Sequence, residues 1–497
     1  MKRLGIVVIV FFSLLQSCKT LSTQRRSYIV AKKSAADLKE DFKLLRKILE
    51  ANHPSLYWYT PKDSMDLYFD QSINSITDSL DEVQFKNKVA WLVSKIRCGH
   101  TSVLFSKAYT RNAAQFRFPS LPLYLKAWGD DSLVVFANAS QQDSVFKRGT
   151  VITGINGRTN RQLLDTLFSF ISSDGYAFNY KNQVVSGNFP LWYKTILGID
   201  SAYNVSYIDS TGKEATAIVK NYKPVVDTSR KGRPRSAEPV KLPSRRELRK
   251  VRLLAQRELR IDTALSTAVM RLATFSNGGL RTFFRQSFRT MKQQKIQHLV
   301  IDMRENGGGK VSSSILLTKY LSDHPFKVGD SVVAVSRKFA YAHYIHPSLI
   351  YWFAMNFGGK KAEDGSIHYR RYETKLFQPK ERLHFDGQVT LLQGGYSFSA
   401  TTMFISNLKG QKNITVAGEE SGGGYYGNSA MYIPTITLPN SKLRVSLPMY
   451  RLVMDSSRPR GHGIIPDLAI PPSSDAIKKG IDPKMLRIRE MIQQKAL

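Results

Sequence analysis

Two serines stand at the end of an apolar run in the C-terminal half of the chain. Residues 394–404 read GGYSFSATTMF; they follow the strand-like QVTLLQ and open a helix-like segment. A serine at a helix N-terminus faces outward-pointing backbone amides and a local field that favours negative charge. An attacking alkoxide and its oxyanion would be stabilised there. The stretch therefore predicts a nucleophile, Ser397 or Ser399, the alternative being two small residues that let a strand turn into a helix.

A second stretch has the same strand, turn and helix pattern. Residues 302–309 read DMRENGGG and follow the buried strand HLVID. Three glycines leave amide N–H groups unscreened, so they can form an anion hole for a phosphate or for the oxyanion of acyl transfer. The phosphate-binding P-loop is excluded because Arg304 stands where it needs glycine and Val311 where it needs Ser or Thr. The nucleophile elbow of α/β-hydrolases is disfavoured because G-x-S-x-G lacks its last glycine here.

A histidine lies at a junction between two predicted elements. A helix from about residue 81 to 96 ends near Gly99, and the strand-like TSVLF follows His100. An imidazole titrates near neutrality and can act as a general base. A lone histidine after a helix is more often structural, so its chemistry depends on what it meets in the fold.

Composition describes a globular, basic protein. The chain has 497 residues, 42% hydrophobic content and a formal charge of +34. Such an excess favours polyanions, but no nucleic-acid-binding module is recognisable, so the charge indicates a solvated surface facing an anionic envelope. Cys98 and Cys18 are the two cysteines. This count leaves no internal disulfide after removal of a signal segment and no thiolate metal site; no metal or other cofactor is implied.

The first residues have the pattern of a secretory signal. Lys2 and Arg3 precede an apolar run over residues 4–15, and Cys18 follows. We expect a signal peptide over 1–17, lipidation of Cys18 and a tether over 18–33; the alternatives are a plain cleaved signal or an uncleaved anchor. The expected location is a bacterial cell envelope, lipid-anchored and either periplasm-facing or at the outer membrane.

Hydrophobic periodicity divides the rest of the chain. Residues 34–116 predict a helical N-terminal domain. Residues 117–222 read as a small β module in which GTVITGING, with its Asn-Gly turn, precedes a helix. This run resembles a PDZ domain, which grips extended peptides at a sheet edge; the alternative is a hairpin and helix with no binding role.

The second half begins with a basic segment. Residues 223–262 predict a linker, because thirteen Lys or Arg face four Asp or Glu between Lys223 and Arg260, with prolines among them. Contact with anionic lipid is one use for it. Residues 263–472 predict an α/β core with strands near 298–302, 388–393 and 414–417, and residues 473–497 predict a helical tail.

The motifs in this order resemble the C-terminal-processing, or tail-specific, serine peptidases and their tricorn-core relatives. They are CGHT at 98–101, the PDZ-like module, DMRENGGG, SFSA at 397–400, GEESGG at 418–423 and GHGIIPD at 461–467. The resemblance implies an α+β and α/β multidomain fold with a crotonase-like catalytic core. It implies that Ser399 is the nucleophile, and that amides of Gly308 or Gly309 and of Ala400 form the oxyanion hole.

One departure from the family concerns the base. Where the tail-specific branch has a lysine, this chain has Gly424; the tricorn-like branch uses histidine, and His100 matches its place. No glutamate stands where that branch has its acid. Asp455 is the nearest candidate to orient the imidazole, and Thr101 or Ser102 are alternatives.

These observations predict an envelope serine endopeptidase that cleaves unfolded or C-terminally presented polypeptides. A non-catalytic peptide- or ligand-binding lipoprotein on the same fold is the alternative, motivated by the missing lysine and acid. A third hypothesis is a polyanion-binding envelope protein that uses the basic linker. No nucleic-acid partner is expected.

Overall fold

The computed structural model describes residues 30–116, 118–223, 243–363 and 365–496. Its helices, numbered along the chain, are α1 Ala35–Asn52, α2 Lys62–Asn74, α3 Glu82–Lys95, α4 Lys107–Ala113, α5 Asn160–Phe168, α6 Phe178–Gly187, α7 Phe189–Ile196, α8 Arg245–Gln256, α9 Leu280–Gln293, α10 Val311–Thr318, α11 Ser348–Gly358, α12 Arg370–Thr374, α13 Ala400–Leu408, α14 Ser474–Lys479 and α15 Pro483–Ala496.

The strands are short and fall into four sheets. They are β1 Val103–Leu104, β2 Leu123–Trp128, β3 Ser132–Asn138, β4 Val151–Ile155, β5 Arg158–Thr159, β6 Ala202–Ile208, β7 Glu214–Lys220, β8 Arg257–Asp262, β9 Thr267–Leu272, β10 His298–Asp302, β11 Ser331–Ala334, β12 Ile345–His346, β13 Lys360–Lys361, β14 Ile367–His368, β15 Gln388–Gln393, β16 Ile414–Gly418, β17 Gly427–Ala430, β18 Thr435–Thr437, β19 Arg444–Ser446, β20 Tyr450–Val453 and β21 Leu468–Ala469.

A six-stranded sheet organises the C-terminal half, in the order β21-β16-β15-β10-β9-β8. Five of these strands, β9, β10, β15, β16 and β21, run parallel, and β8 pairs antiparallel with β9 at the edge. Strands β10, β15 and β16 are mostly apolar, and helices α9, α10 and α13 contribute side chains to the core that they share. Strands β10 and β15 have the predicted bounds.

The parallel order brings the two glycine-bearing stretches together. Asp302, the last residue of β10, lies in register with Leu392, next to the end of β15. Both chains therefore leave the sheet at the same edge, where open α/β sheets place their ligand sites. The DMRENGGG turn and the GGYSFS turn are neighbours for this reason.

The N-terminal helices do not enclose a core of their own. Helix α1 begins where predicted, with Ser34 accepting the Asp37 N–H at its N-cap. Its buried face, which includes Phe42 and Leu45, shares one hydrophobic cluster with Val445 and Tyr450 far along the chain. The predicted N-terminal helical domain thus shares its core with strands of the C-terminal half.

The partners of these helices are two antiparallel sheets, ordered β1-β19-β18-β12 and β13-β14-β11-β20-β17. Strand β1 begins three residues after His100 and pairs with β19. Strand β17 pairs with β20. These sheets connect the segment around residue 100 to the region that follows Ser399.

Residues in the predicted β module form an antiparallel sheet, ordered β2-β3-β4-β6-β7, with β5 paired to β4. Asn156 and Gly157 have positive φ values of 51° and 74°, as a two-residue hairpin turn requires. Helices α5, α6 and α7 cover a separate hydrophobic cluster on this sheet. The module therefore has its own core.

The basic segment is shorter than predicted. Residues 224–242 lie outside the described residues, α8 follows, and 257–262 form β8 instead of linker. Leu259 and Ile261 alternate with charged residues and pack on the core, so this stretch completes the sheet. The C-terminal tail packs too, with Ile488 and Ile492 of α15 against the other face of the parallel strands.

Candidate active site

Ser399 lies at the start of α13 in a conformation that is unusual for a side-chain-bearing residue. Its φ is 57° and its ψ is −122°, and it forms the N-cap of the helix without bonding its own side chain to it. Non-glycine residues held at positive φ are strained and concentrate at functional sites. The half-buried hydroxyl thus lies at a sharp strand-to-helix turn and does not cap the helix.

Ser397 has a different part in the same turn. It is fully buried, its Oγ accepts the Gly394 N–H at 3.1 Å and donates to the Met303 carbonyl at 2.8 Å. These bonds join the turn after β15 to the turn after β10. Ser397 is therefore a structural residue, and its hydroxyl is not available for attack.

Gly308 approaches Ser399 so closely that no side chain fits. A Cβ there would lie 2.7 Å from the Phe398 carbonyl oxygen and 2.8 Å from Ser399 Cβ, and its φ is 99°. Its N–H, which the sequence offers as an oxyanion donor with that of Gly309 as the alternative, donates to Asn306 Oδ1 at 2.9 Å. This bond holds the loop together and favours Gly309 as the donor.

The neighbouring amides remain open. Within the described chain, the N–H groups of Gly309 and Ala400 donate to no protein acceptor. Both residues line one cleft of about 640 Å³ together with Ser399. Two unengaged amides beside a serine are the arrangement that stabilises the oxyanion of acyl transfer.

His100 lines the same cleft. Its ring contacts the Phe398 ring, with centroids 4.8 Å apart, and Phe398 in turn stacks on Tyr180 at 5.1 Å. The imidazole Nδ1 is buried and has no hydrogen-bond partner in the described chain. Burial lowers the pKa of His100 to about 4, because removal from water disfavours the charged imidazolium.

Asp455 and its alternatives Thr101 and Ser102, the candidates to orient this imidazole, are engaged elsewhere. Thr101 Oγ1 bonds to Nε2 of the buried His53 at 2.8 Å, and Ser102 Oγ lies 3.2 Å from Ser446 Oγ. Asp455 accepts from Ser457 and from Arg458. None of these sequence-based candidates is bonded to His100.

Asn428 is a cleft residue that sequence reasoning missed. It is buried on β17, lines the cleft with His100, and its Oδ1 has no hydrogen-bond partner among the described residues. The next residue on the strand approaches the histidine segment, with Cys98 Sγ 3.9 Å from the Ser429 carbonyl oxygen. Nothing in the local sequence indicated this residue, because the approach depends on tertiary packing.

Asp174 is the second residue that was missed. This buried carboxylate comes from the β module and accepts the N–H of Gly99 at 2.8 Å and of Gly424 at 3.3 Å. Burial raises the pKa of Asp174 to about 7. Asp174 joins three segments at the site and lies beside the residue that precedes His100.

The structure also explains the glycine at the family's lysine position. A Cβ on Gly424 would lie 2.4 Å from the Gly427 carbonyl oxygen. The backbone there is too close to its neighbour for a lysine to be accommodated without rearrangement. The local fold and the absence of a lysine base are therefore consistent.

Metal and membrane features are lacking in the part of the chain that the structure describes. No group of three or more His, Cys, Asp or Glu could hold a metal ion there. None of the helices described is long and apolar enough to cross a membrane. Cys18 and the predicted signal segment lie outside the described residues.

Comparisons with known proteins concern the family and the fold. Residues 266–470 match the model of peptidase family S41. No curated protein sequence matches the chain. Among solved structures, mature CPAF superposes with a TM-score of 0.62 at 12% identity, covering 93% of this chain and 97% of that one.

Two further structures are similar to the chain. Mature CPAF in complex with lactacystin has a TM-score of 0.61 at 13% identity, covering 93% of this chain and 98% of that one. A photosystem II D1 C-terminal processing protease has a TM-score of 0.39 at 14% identity, covering 88% and 94%. The CPAF structures show a shared mixed α/β multidomain fold.

The family match spans both glycine-bearing turns, the parallel sheet and the segment that carries Asn428. Residues 266–470 thus form a peptidase family S41 domain, and the chain is a serine-type peptidase.

Proposed function

We propose that this protein is a serine endopeptidase of the cell envelope that cleaves unfolded or C-terminally presented polypeptides, with Ser399 as nucleophile and His100 as base. The observation that carries the proposal is the strained Ser399 in a cleft that also contains His100 and two unengaged amides. The parallel sheet that presents these groups is the proposed crotonase-like core.

The chemistry follows acyl transfer. Ser399 Oγ attacks the carbonyl carbon of the scissile peptide bond while His100 Nε2 takes the hydroxyl proton. The N–H groups of Gly309 and Ala400 receive the developing oxyanion. His100 then returns the proton to the leaving amine, and the same base activates the water that hydrolyses the acyl-enzyme.

His100 is neutral over the pH range in which this chemistry would run. Because its pKa lies below the ordinary value of 6.5, the imidazole keeps its free base form until the pH falls to about 4. An imidazolium formed in the reaction needs an acceptor at Nδ1. We assign this positioning role to the Asn428 side-chain oxygen, the unpartnered acceptor in the same cleft.

The β module supports a role in presenting the substrate, as a PDZ-like domain would. Strand β2 is an edge of its sheet and α6 lies alongside it. That edge is partly occupied, because the Ala127 N–H donates to Ser186 Oγ of α6 at 2.8 Å. A peptide that adds to β2 would therefore replace this bond.

The envelope location is proposed from the sequence alone. A signal segment and a lipidated Cys18 would tether the enzyme, and the exposed basic helix α8 offers contact with anionic lipid. Fractionation of cells that express the intact chain or Cys18→Ala tests the anchor. The intact chain should pellet with membranes and the variant should not; equal distribution of the two would remove the lipid anchor from the account.

Cleavage of an unfolded protein tests the enzymatic proposal. Reduced, carboxymethylated α-lactalbumin should be cut at internal bonds by the intact protein and by neither Ser399→Ala nor His100→Ala, with all three equally folded by circular dichroism. Cleavage that survives His100→Ala would remove histidine from its role. Cleavage that survives Ser399→Ala would remove the proposed nucleophile.

A further inference from the structure

The cleft that contains Ser399 differs in composition from the rest of the chain. Of all residues, 23% are charged, and 73 are Lys or Arg. Among the described residues that line the cleft, none is Lys, Arg, Asp or Glu, and His100 is the titratable one. The cleft therefore offers no counter-ion to a charged substrate side chain.

One part of the cleft is apolar. Its residues, here called the side-chain subsite, are Val311, Met403, Ala430, Met431, Ile433 and Leu452. Leu452 of β20 lies in register with Asn428 of β17, and Ala430 follows Asn428 by two residues. Side chains two apart on a strand share a face, so this sheet presents all three to the cleft.

The subsite is continuous with the groups proposed to react. Met403 lies one helical turn after Ser399, and its N–H donates to the Ser399 carbonyl at 3.1 Å. Val311 begins α10 two residues after Gly309, whose N–H is a proposed oxyanion donor. A peptide bond held between Ser399 and the Gly309 N–H therefore places a neighbouring side chain against Met403 and Val311.

Another part of the subsite has an unusual backbone conformation. Met431 and Tyr432, which are consecutive, have φ values of 58° and 43°. The Tyr432 ring contacts those of Tyr351 and Tyr450, with centroids 6.1 and 5.9 Å apart. Side-chain-bearing residues persist at positive φ where their surroundings fix them, and they cluster at ligand-binding sites. The unbranched Met431 side chain can adapt to apolar groups of different shape.

We propose that the side-chain subsite holds the substrate residue next to the scissile bond and selects large uncharged residues such as Leu, Met and Phe. The inference rests on the proposed function and names its substrate class. An apolar side chain gains by leaving water there, whereas Lys or Glu would lose hydration without gaining a partner. Folded proteins bury such apolar residues, so cleavage beside them would favour unfolded chains.

The overall charge of the chain leads to a different order of preference. Its excess of positive charge would attract acidic peptides to the surface. If that field set the selectivity, Glu beside the bond would be preferred to Leu, and Leu to Lys. The subsite instead disfavours both signs of charge relative to Leu.

Four internally quenched decapeptides distinguish these orders on the full chain. They consist of Gly and Ser except for one central residue, which is Leu, Gln, Lys or Glu. The intact protein should show the highest kcat/KM for Leu and values at least about tenfold lower for Lys and for Glu, with cleavage beside the central residue by mass spectrometry. A preference for Glu over Leu, or equal values for all four, would overturn the subsite.

Val311→Asp should shift the selectivity towards Lys. The variant should fold, by circular dichroism, because Val311 is the first residue of α10 and a helix N-terminus favours an acidic side chain. The ratio of kcat/KM for Lys to that for Leu should rise at least about tenfold. Ile433→Asp, at an exposed position of the subsite, should change the ratio in the same direction.

Ser312→Asp is the matched control. It adds the same charge at the next residue of α10, which is exposed and is not among the cleft-lining residues. The ratio of two substrates cancels any effect of the added charge on His100, so the control should leave it unchanged. An equal rise in the control, or no rise in either Val311→Asp or Ile433→Asp, would refute the subsite.

Binding to the inactive enzyme separates this inference from the proposed function. Ser399→Ala should bind the fluorescein-labelled Leu decapeptide at least about tenfold more tightly than the Lys or Glu decapeptide, by fluorescence anisotropy. This order is expected whether or not the wild type cleaves. Equal affinities would refute the subsite and leave the catalytic proposal standing, whereas the expected order without cleavage by the wild type would refute the catalytic proposal alone.

Discussion

The serine side and the histidine side of the cleft differ in how fully their polar groups are hydrogen-bonded and packed. On the serine side, Ser397 satisfies two partners, Asn306 holds Gly308, and Gly308 packs against Ser399. On the histidine side, His100 Nδ1 and Asn428 Oδ1 are both buried without partners.

The difference indicates where this site is preorganised. The proposed nucleophile and the proposed oxyanion donors are fixed by backbone contacts that exist without substrate, as electrostatic stabilisation requires. The proposed base, His100, is removed from water, which disfavours its charged form. Substitutions on the histidine side should therefore alter the acid limb of the pH profile and the rate of proton transfer most.

The serine side should be the more sensitive to added volume. Gly308→Ala would place a Cβ against Phe398 and Ser399 at positive φ, so we expect a loss of ~2–4 kcal/mol in the free energy of unfolding. Urea denaturation measures this. Gly307→Ala is the matched control, because its Cβ would meet no atom within 4 Å, and it should change stability by less than about 1 kcal/mol. Equal effects of the two would contradict the close packing described for this side.

The histidine side should determine the pH profile. Because burial lowers the pKa of His100 to about 4, kcat/KM for a hexapeptide should stay level as the pH falls through 6.5 and decline only near pH 4. Asn428→Asp would place a carboxylate in the cleft and raise the pKa of His100 toward 6.5, moving this limb upward by up to about two pH units. A wild-type limb at 6.5 or above would mean that an acidic partner already acts on the imidazole.

Asp174 should make stability depend on pH. Its folded pKa of about 7 lies above the unfolded value of 3.8, so the folded state holds the proton more tightly. Its contribution is fully present below pH 3.8 and is lost as the pH rises to 7, by an amount on the order of 2–4 kcal/mol. Asp174→Asn should flatten this part of the curve of unfolding free energy against pH. The same slope in the variant would assign it to another group.

The smallest predicted effect concerns the strain at the nucleophile. Ser399→Gly relieves a positive φ that a side chain tolerates poorly, so the variant should be more stable by ~1 kcal/mol, whereas Ser399→Ala should match the wild type. Differential scanning calorimetry of both variants measures this. A glycine variant no more stable than the alanine variant would show that the turn is unstrained.

Much of the core could be predicted from local sequence patterns, but the residues from distant segments that surround the site could not. Apolar runs gave the bounds of β10 and β15, and the order of motifs selected Ser399 over Ser397. Residues 257–262 were assigned to the linker because their charged residues obscured the alternation of apolar and charged side chains that is typical of an edge strand. Asp174 is 75 residues from Gly99 in sequence, and Asn428 is more than 300 residues from His100, so no local spacing revealed them.

The choice of oxyanion donor could not be made from the sequence either. Three glycines in a row predict free amides, but only the structure shows that the Gly308 N–H donates to Asn306 Oδ1. Hydrogen bonds of side chains to nearby backbone amides are decided by loop geometry, which composition does not specify.

The most direct test of the central claim locates the reactive serine and its base in one experiment. Intact protein, Ser399→Ala and His100→Ala are treated with a fluorophosphonate, and the adduct is mapped by mass spectrometry with its rate of formation. We expect an adduct on Ser399 in the intact protein, none in Ser399→Ala, and a rate at least about 100-fold lower in His100→Ala. Equal labelling of all three proteins, or no labelling of the intact one, would contradict it.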